Sequence, residues 1–309
     1  MSDISWLVPV ILTVITASTP LLLAATGELV VEKSGVLNLG VEGMMVVGAV
    51  AAFATASSTG SAVLAILAGL AAGAAVASVF GFLTLGLVAN QVATGLALTI
   101  FGIGFSALIG AGYVGYALEP LPKLDIPVLN DLPFVGPILF GHDALVYFSF
   151  AALVGVSWFL YRSRAGLVLR AVGESHDSAH SIGYPVLRIR FLAILFGGAM
   201  SGLGGAYLSL SYTPMWAENM TAGRGWIALA LVVFSTWRPG RLLLGAYMFG
   251  AITILQLHAQ SAGIGVPSQV MSMLPYLATI AVLVAISRDA TKIRLNAPGC
   301  LGKVFHPAR

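Results

Sequence analysis

Long apolar stretches recur along the whole chain, and shorter segments between them carry most of the charged residues. A helix needs about 20 mostly apolar residues to cross a bilayer. The pattern therefore predicts an all-α, polytopic membrane helix bundle of about nine spans, within a range of eight to ten. The predicted spans are 8–26, 36–56, 61–86, 90–112, 144–161, 191–211, 225–236, 240–258 and 270–287. The span 225–236 is short enough to be a half-membrane helix, a kind of helix often found beside transport pathways.

Composition supports a membrane solvent independently of the pattern. Hydrophobic residues make up 58% of the 309 positions and charged residues 9%, whereas about 25% of residues are charged in a typical globular protein. We therefore expect a single transmembrane domain over 1–309. The first apolar stretch lacks a basic flank and is long for a signal peptide, so we interpret it as a retained span. The lone Cys300 excludes an internal disulfide and has no metal-ligand neighbours.

The basic residues predict an orientation. All Lys and Arg residues except Lys123 and Arg224 lie in segments that nine crossings place on one side of the membrane. The positive-inside rule makes that side cytoplasmic, so we expect the N-terminus outside and the C-terminus inside. These residues thus determine topology and do not indicate nucleic-acid binding. Segment 113–143, rich in proline and acidic residues, is predicted to be an ordered extracytoplasmic loop without a further helix.

Small residues at helical spacing predict close helix packing, since in lipid the burial of apolar surface gives little attraction between helices. One stripe comprises Gly69, Gly73, Ala77 and Gly81, and a second begins at Gly198 and Gly202.

A faint internal repeat relates residues 69–103 to residues 244–283, through the matching Asn-Gln-Val and Ser-Gln-Val triplets. In the predicted topology the two copies run in opposite directions, as in the inverted repeats of alternating-access transporters. Chance similarity between two sets of Ala-, Leu- and Gly-rich helices is the alternative.

Glu42 is a carboxylate inside an otherwise apolar span, where a charge is costly unless it faces protein or water. One interpretation is a pathway-lining or gating acid that works with Asn38. The other is a buried structural carboxylate that accepts hydrogen bonds and fixes the packing of its helix.

Uncharged polar side chains at two span ends are further candidates for solute contact: Asn90, Gln91 and Thr94 at one, and Gln256, His258 and Gln260 at the other. Such residues also cap helix ends. Three aromatic residues, Tyr212, Trp216 and Trp226, suit stacking on a sugar or base, although aromatic belts at the membrane surface have the same composition. No Lys or Arg lies in the interior of a predicted span, since Arg241 is only the second residue of its span, and this favours a neutral or cationic solute.

The sequence contains none of the enzyme and nucleotide-binding motifs HExxH, GxSxG and GxxxxGK[ST]. We therefore expect no catalytic residue, metal or cofactor on this chain. If ATP drives transport, another subunit must hydrolyse it.

The segment 162–190, predicted to be cytoplasmic, is too long for a hairpin turn, and we expect a short helix across the membrane face there. Its sequence VGESHDSAHSIGYPVLRIRF resembles the loop of ABC-importer permeases of the branched-chain amino acid and monosaccharide class. Residues 27–45, reading GELVVEKSGVLNLGVEGMM, are similar to the amino-terminal signature of the nucleoside and simple-sugar branch. Further similar stretches are NQVATGLAL at 90–98, AGRGWIALALVVF at 222–234 and PSQVMSMLPYLATIAVLV at 267–284.

The resemblance implies a multi-pass permease of the bacterial inner membrane, importing a small polar solute, most often a purine nucleoside and alternatively a simple sugar. It implies as partners a cytoplasmic ABC ATPase that uses ATP and Mg²⁺, a second permease or a second copy, an extracytoplasmic solute-binding protein and membrane lipid. By the same resemblance, residues 173–183 form the helix that couples to the ATPase. The implied coupling residues are Gly173, Glu174, Ser178, Ala179, Gly183 and Arg188. The chain departs from the alanine-rich family pattern at His176, His180 and Ser181.

Two other classes of protein remain open from the sequence. An ion-coupled carrier usually has ionisable groups at the membrane midplane, where Glu42 is nearly alone. A membrane-embedded enzyme would need a catalytic set that the sequence does not contain.

Overall fold

The computed structural model describes residues 7–124, 135–261, 267–287 and 296–306. Within these ranges the chain forms helices and isolated β-bridges. The helices are α1 Leu7–Lys33, α2 Val41–Thr59, α3 Ala62–Gly81, α4 Gln91–Gly110, α5 Val135–Phe140, α6 Ala144–Arg162, α7 Arg164–Glu174, α8 His176–Ser181, α9 Val186–Tyr207, α10 Arg224–Phe234, α11 Pro239–Ser261, α12 Ser268–Ser272 and α13 Leu274–Ser287. Single π-helical turns, Phe82–Gly86 and Leu208–Tyr212, extend α3 and α9.

Seven helices in the described ranges are long and apolar enough to cross a membrane: α1, α2, α3, α4, α6, α9 and α11. The predicted all-α membrane bundle is therefore confirmed. Two further predicted spans correspond to shorter helices. The span at 270–287 is divided between α12 and α13. The span at 225–236 is α10, whose 11 residues extend about 16 Å, roughly half of a hydrocarbon core of about 30 Å.

Three predicted boundaries are wrong, and each correction moves charged or polar residues. Helix α1 continues through Lys33, so Glu28 and Glu32 are helical and buried. Helix α2 begins only at Val41, which leaves 34–40 as a mostly buried, non-helical connection. Helix α9 begins at Val186, so Arg188 and Arg190 belong to a helix and not to the loop predicted at 162–190.

Helices α1, α2, α3 and α9 form the centre of the bundle, and glycine allows their close approach. A Cβ added to Gly73 of α3 would lie 2.7 Å from the Cα of Gly202 on α9. A Cβ added to Gly48 of α2 would lie 2.5 Å from the same atom. The two predicted small-residue stripes therefore face each other, which confirms the packing inferred from their spacing.

One end of the bundle, which we call the basic end, gathers residues that are far apart in sequence. Lys33 Nζ donates to the Asn296 carbonyl oxygen at 2.8 Å, and Arg238 Nε donates to Asn296 Oδ1 at 3.3 Å. The segments predicted to share one side of the membrane thus meet at one end.

At the opposite end, isolated bridges pair Val114 with Trp216 and Lys123 with Asp143. The segment predicted as a loop at 113–143 contains the short helix α5, contrary to the expectation of no helix, while its residues 125–134 lie outside the described ranges. Asp143 caps α6, because its Oδ1 accepts the Leu145 N–H at 2.9 Å.

The helices that carry the proposed repeat start at opposite ends of the bundle. Gly69, early in α3, lies beside Ala206 late in α9, and Gly81 lies beside Phe191 early in α9, so α3 runs towards the basic end. Helix α11 starts next to Arg238 at that end and runs away from it. The opposite directions expected of the two copies are therefore present, while the repeat itself stays a prediction.

Candidate solute site and coupling surface

Glu42 holds the N-terminus of the half-length helix α10. Its carboxylate is 2% exposed. Oε1 accepts the Thr221 hydroxyl at 2.5 Å and the Gly223 N–H at 2.8 Å, and Oε2 accepts the Gly225 N–H at 2.6 Å. A negative charge at a helix N-terminus is favourable because the first N–H groups have no partner inside the helix. These contacts fit the structural interpretation of Glu42 and leave its oxygens occupied by the protein.

Glycine makes this contact between α2 and α10 possible. A Cβ on Gly225 would lie 2.5 Å from the Glu42 Cα, and Gly223 has φ +84°, a region that L side chains rarely adopt. The Gly-Arg-Gly sequence at 223–225 is therefore a local requirement for the buried carboxylate to reach the helix end.

The connection 34–40 enters the bundle beside the start of α4. Leu37 N donates to Gln91 Oε1 at 2.8 Å, and Thr99 Oγ1 donates to the Leu39 carbonyl oxygen at 3.0 Å. Asn38 Oδ1 accepts the Gly40 N–H at 2.9 Å. Two predicted pathway residues, Asn38 and Gln91, are thus buried and stabilise the backbone of this connection.

The other predicted pathway residues lie apart from one another. Asn90 is exposed and caps α4, its Oδ1 accepting the Ala93 N–H at 3.0 Å. Thr94 is buried one turn further along α4. Gln256 is half-buried in α11, which packs mainly against α1, whereas α4 packs mainly against α2. The structure brings Asn38, Glu42 and Gln91 into one region but not Gln256, and solute contact by any of them stays a prediction.

Arg224 is half-buried, at a depth of about half the hydrocarbon core and not at the outer end of the bundle. It is the first residue of α10, so it stands only about 16 Å from the end of that helix near the basic end. Its guanidinium carbon lies 5.3 Å from the centre of the Tyr212 ring, and Nη1 donates to the Met220 carbonyl oxygen at 3.1 Å. Among described residues, no carboxylate lies within 4 Å of it. The expectation of a neutral or cationic solute rested on the absence of an interior basic residue, and this placement removes that basis.

Aromatic side chains surround the same helix end. Trp226 is 36% exposed and Tyr276 of α13 is 50% exposed, with its hydroxyl 3.5 Å from where a Gly223 Cβ would be. Trp216, by contrast, is buried against Gly110 and cannot stack on a solute. A guanidinium with several N–H donors beside accessible aromatic rings suits a ring-shaped solute with hydroxyl or carbonyl acceptors. We call Tyr212, Arg224, Trp226 and Tyr276 the α10 site.

The segment predicted to couple to an ATPase is divided into two helices. Gly173 and Glu174 end α7, and α8 follows, with Ser175 as its N-cap accepting the Ser178 N–H at 3.3 Å. Gly183, after α8, has φ +91°. Of the segment 173–183 expected to form the coupling helix, α8 covers His176–Ser181, while Gly173 and Glu174 belong to α7.

The faces of this segment differ in exposure. Ser178 and Glu174 are exposed, whereas Ala179 is 2% exposed and packs in a small apolar cluster with Val172, Val186 and Phe305. We call the exposed faces of α7 and α8, together with the exposed Arg188 on α9, the coupling surface, after the role that the resemblance predicts for this segment.

Arg190 connects α8 to the connection 34–40, a link that sequence reasoning missed. Its side chain is fully buried. Nη2 donates to His176 Nδ1 at 3.1 Å, Nε to the Ser34 carbonyl oxygen at 3.1 Å, and Nη1 to the Lys303 carbonyl oxygen at 3.3 Å. Burial, and next the Arg190 charge, lower the pKa of His176 below its ordinary value, while Asp177 acts in the opposite direction. Arg190 thus joins α8, the connection 34–40 and the C-terminal segment through direct hydrogen bonds, and 34–40 leads to Glu42.

The C-terminal segment 296–306 completes the coupling surface. Cys300 N donates to the Gly173 carbonyl oxygen at 2.9 Å, and Gly302 N to the Gly35 carbonyl oxygen at 3.1 Å. The Phe305 ring packs edge-on against both His176 and His180, with centroids 5.1 and 5.3 Å away. The two histidines that depart from the alanine-rich family pattern are therefore matched by an aromatic residue from the C-terminal segment.

A second missed pair of residues lies near the basic end of α1. Glu32 Oε2 accepts the Trp237 indole N–H at 2.5 Å, and Glu28 Oε1 accepts the Asn38 N–H at 3.3 Å. The absence of Gly and Pro between Glu28 and Gly35 was the available signal that α1 continues past the predicted boundary.

Comparison with known proteins supports a transport role. The chain is 42% identical over 309 residues to TsgC13 of Haloferax volcanii, provisionally named a glucose ABC transporter permease, covering 93% of this chain and 94% of that protein. It is 31% identical to the guanosine ABC transporter permease NupQ of Bacillus subtilis, over 90% of this chain and 92% of NupQ. It is 30% identical to the nucleoside ABC transporter permease NupC of Lactococcus lactis, over 92% of this chain and 93% of NupC. No solved structure matches the chain.

The family profile described as the permease component of branched-chain amino acid transport systems matches residues 10–283, from the early part of α1 into α13. Since this match covers most of the chain, including α10, α7 and α8, the chain belongs to that family of multi-pass membrane permeases.

Proposed function

We propose that the chain is the permease subunit of an ATP-driven ABC importer for a ring-shaped, hydroxyl-rich solute, a nucleoside or a simple sugar. The observation that carries the proposal is the α10 site: a half-length helix whose N-terminus is fixed by Glu42 and presents Arg224 and accessible aromatic rings inside the bundle. The names of the relatives agree with such a solute. Interrupted helices of this kind line transport pathways in many transporters.

The direction of transport follows from the two ends. The basic end faces the cytoplasm, which places the N-terminus outside and α8 where an ABC ATPase can contact it. An extracytoplasmic solute-binding protein delivers the solute at the opposite end. The pathway runs between this chain and a second permease, either a homologue or another copy.

From α8 onwards, coupling proceeds through contacts within the chain. ATP and Mg²⁺ bind the partner ATPase, which moves α8. Arg190 links α8 to 34–40, and Glu42, just beyond 34–40, holds the N-terminus of α10. A movement at the coupling surface therefore changes the position of the α10 site.

Uptake in proteoliposomes tests this function. The chain is reconstituted with its partner permease, ATPase and solute-binding protein, and uptake of labelled guanosine and glucose is measured with and without ATP. We expect ATP-dependent uptake of one of them, and competition by unlabelled nucleosides and sugars to define the class. Uptake that persists with a catalytically inactive ATPase would refute an ABC importer and favour the ion-coupled carrier.

A substitution tests the α10 site itself. We expect Arg224→Gln to raise the solute concentration needed for half-maximal uptake about tenfold, because a hydrogen bond to a charged group contributes roughly 1.5 kcal/mol. Lys123→Gln, which removes an exposed charge at the opposite end, is the matched control. An unchanged concentration dependence in Arg224→Gln would place solute recognition elsewhere.

A further inference from the structure

A deep apolar groove, which shares no lining residue with the α10 site, opens on the side of the bundle. It is bounded by α1, α6, α7 and α9 and has a volume of about 690 Å³. Residues that line it include Gly155 and Phe159 of α6, Val168 of α7, and Leu192 and Met200 of α9. Every lining residue is apolar, so a hydroxyl-rich solute would lose its hydrogen bonds there without replacement.

The length of the groove matches one half of the bilayer. Its lining on α9 runs from Ile189 to Met200, a distance of about 16 Å along the helix. Half of a hydrocarbon core is about 15 Å. The groove begins at the basic end, where α7 closes it, and extends to the middle of the membrane, which is the depth reached by the acyl chain of a lipid in that leaflet.

Three arginines continue the lining of the groove at its basic end. Arg162 follows Phe159 by three residues on α6. Arg164 precedes Val168 by four on α7, and Arg188 precedes Leu192 by four on α9. Residues three or four apart share a helix face, so each arginine lies one turn beyond a lining residue. All three arginines are exposed.

We infer that this groove binds an anionic phospholipid, with an acyl chain along Gly155, Phe159 and Leu192 and the phosphate at Arg162, Arg164 and Arg188. Guanidinium groups bind phosphate through paired N–H donors, and basic pockets between helices at the cytoplasmic side recognise anionic head groups. The apolar lining is thus complementary to the acyl chain of one phospholipid, and the positive rim is complementary to its phosphate.

The site also has a structural consequence for coupling. Helix α7, which closes the groove, leads directly into α8 at Ser175. A bound lipid therefore packs against the element that holds the coupling surface in place.

Lipid retention by the purified full-length chain tests the site. The protein is titrated in detergent with phosphatidylglycerol or phosphatidylcholine, and the bound lipid is counted by native mass spectrometry. We expect phosphatidylglycerol to be retained in preference, and each of Arg162→Gln, Arg164→Gln and Arg188→Gln to weaken its binding roughly fivefold. Lys123→Gln, at the opposite end, should leave binding unchanged.

A second variant tests the groove independently of charge. A Cβ added to Gly155 meets no atom within 4 Å, so Gly155→Phe places its ring in the groove without a backbone clash, and we expect retention of both lipids to fall. Gly104→Phe is the matched control, because a Cβ at Gly104 of α4 is equally unobstructed and lies outside the groove. Equal retention of the two lipids by the unaltered chain, or equal retention by the two phenylalanine variants, would overturn the inference.

Discussion

Replacing Glu42 by Gln tests whether the buried carboxylate is what holds the half-length helix in place. Glutamine keeps the shape of the side chain, but its NH₂ group cannot accept the N–H of Gly223 or Gly225. The variant loses at least one charge-assisted hydrogen bond, which contributes about 1.5–3 kcal/mol, together with about 1 kcal/mol from the charge at the helix N-terminus. We therefore expect a loss of stability of about 3 kcal/mol.

The measurement combines stability, local protection and transport. Unfolding of the purified protein should occur at lower temperature, hydrogen exchange should increase at 221–234, and uptake should fall. Glu218→Gln is the matched control, because Glu218 is an exposed carboxylate in the segment that leads to α10. A variant with unchanged stability and exchange but lost uptake would instead make Glu42 a pathway acid. A fully stable and active variant would show that the charge is dispensable.

Four further predictions follow from contacts of the bundle and the coupling surface. Gly183→Val should separate ATP hydrolysis from uptake while leaving membrane insertion intact, because valine at φ +91° is strained; the measurement is the ratio of ATP hydrolysed to solute imported, and an unchanged ratio would contradict it. Arg190→Lys should make the C-terminal segment 296–306 more susceptible to added protease, because a lysine ammonium cannot reproduce the planar guanidinium that joins three partners. Protease resistance equal to that of the unaltered chain would refute this. The pKa of His176 is lowered in the folded protein, so its neutral form contributes to stability. This contribution is present above the ordinary pKa of 6.5 and is lost as the pH falls from there through the folded pKa. The Tm should therefore fall over that pH window, and it should fall less in His176→Gln. Gly73→Val should destabilise the bundle by several kcal/mol, since its Cβ would press on the Gly202 backbone, and an unchanged Tm would argue against the close contact of α3 and α9.

Features of the fold that depend on local pattern could be predicted from the sequence. The apolar stretches gave the membrane bundle and the short α10, because hydropathy and length act within one segment. The small-residue stripes containing Gly73 and Gly202 gave the packing of α3 against α9, because helical spacing fixes which residues share a face.

Features that depend on distant partners could not be predicted from the sequence. Hydropathy ended the first span near residue 26 because Glu28 and Glu32 are charged, yet α1 continues because Asn38 and Trp237 supply hydrogen bonds from elsewhere in the chain. The depth of Arg224 depends on how far α10 reaches into the bundle, which the sequence of α10 does not state.

The coupling surface shows the same limit. The resemblance predicts where it lies, but α8 is held by Arg190 and by Phe305, and neither partner is visible in the pattern of 173–183. The solute-contact residues expected at Asn38 and Gln91 turned out to bond backbone groups of a non-helical connection whose existence the hydropathy profile did not reveal.

The docking of 296–306 against Gly35, Gly173 and His176 has a consequence for biogenesis. During synthesis on the ribosome, the earlier helices can insert one after another, but the packing around α8 lacks Phe305 until the segment 296–306 has also emerged. Chains that terminate before Phe305 therefore leave the packing around α8 incomplete, and under the proposed function we expect them to recruit the partner ATPase poorly.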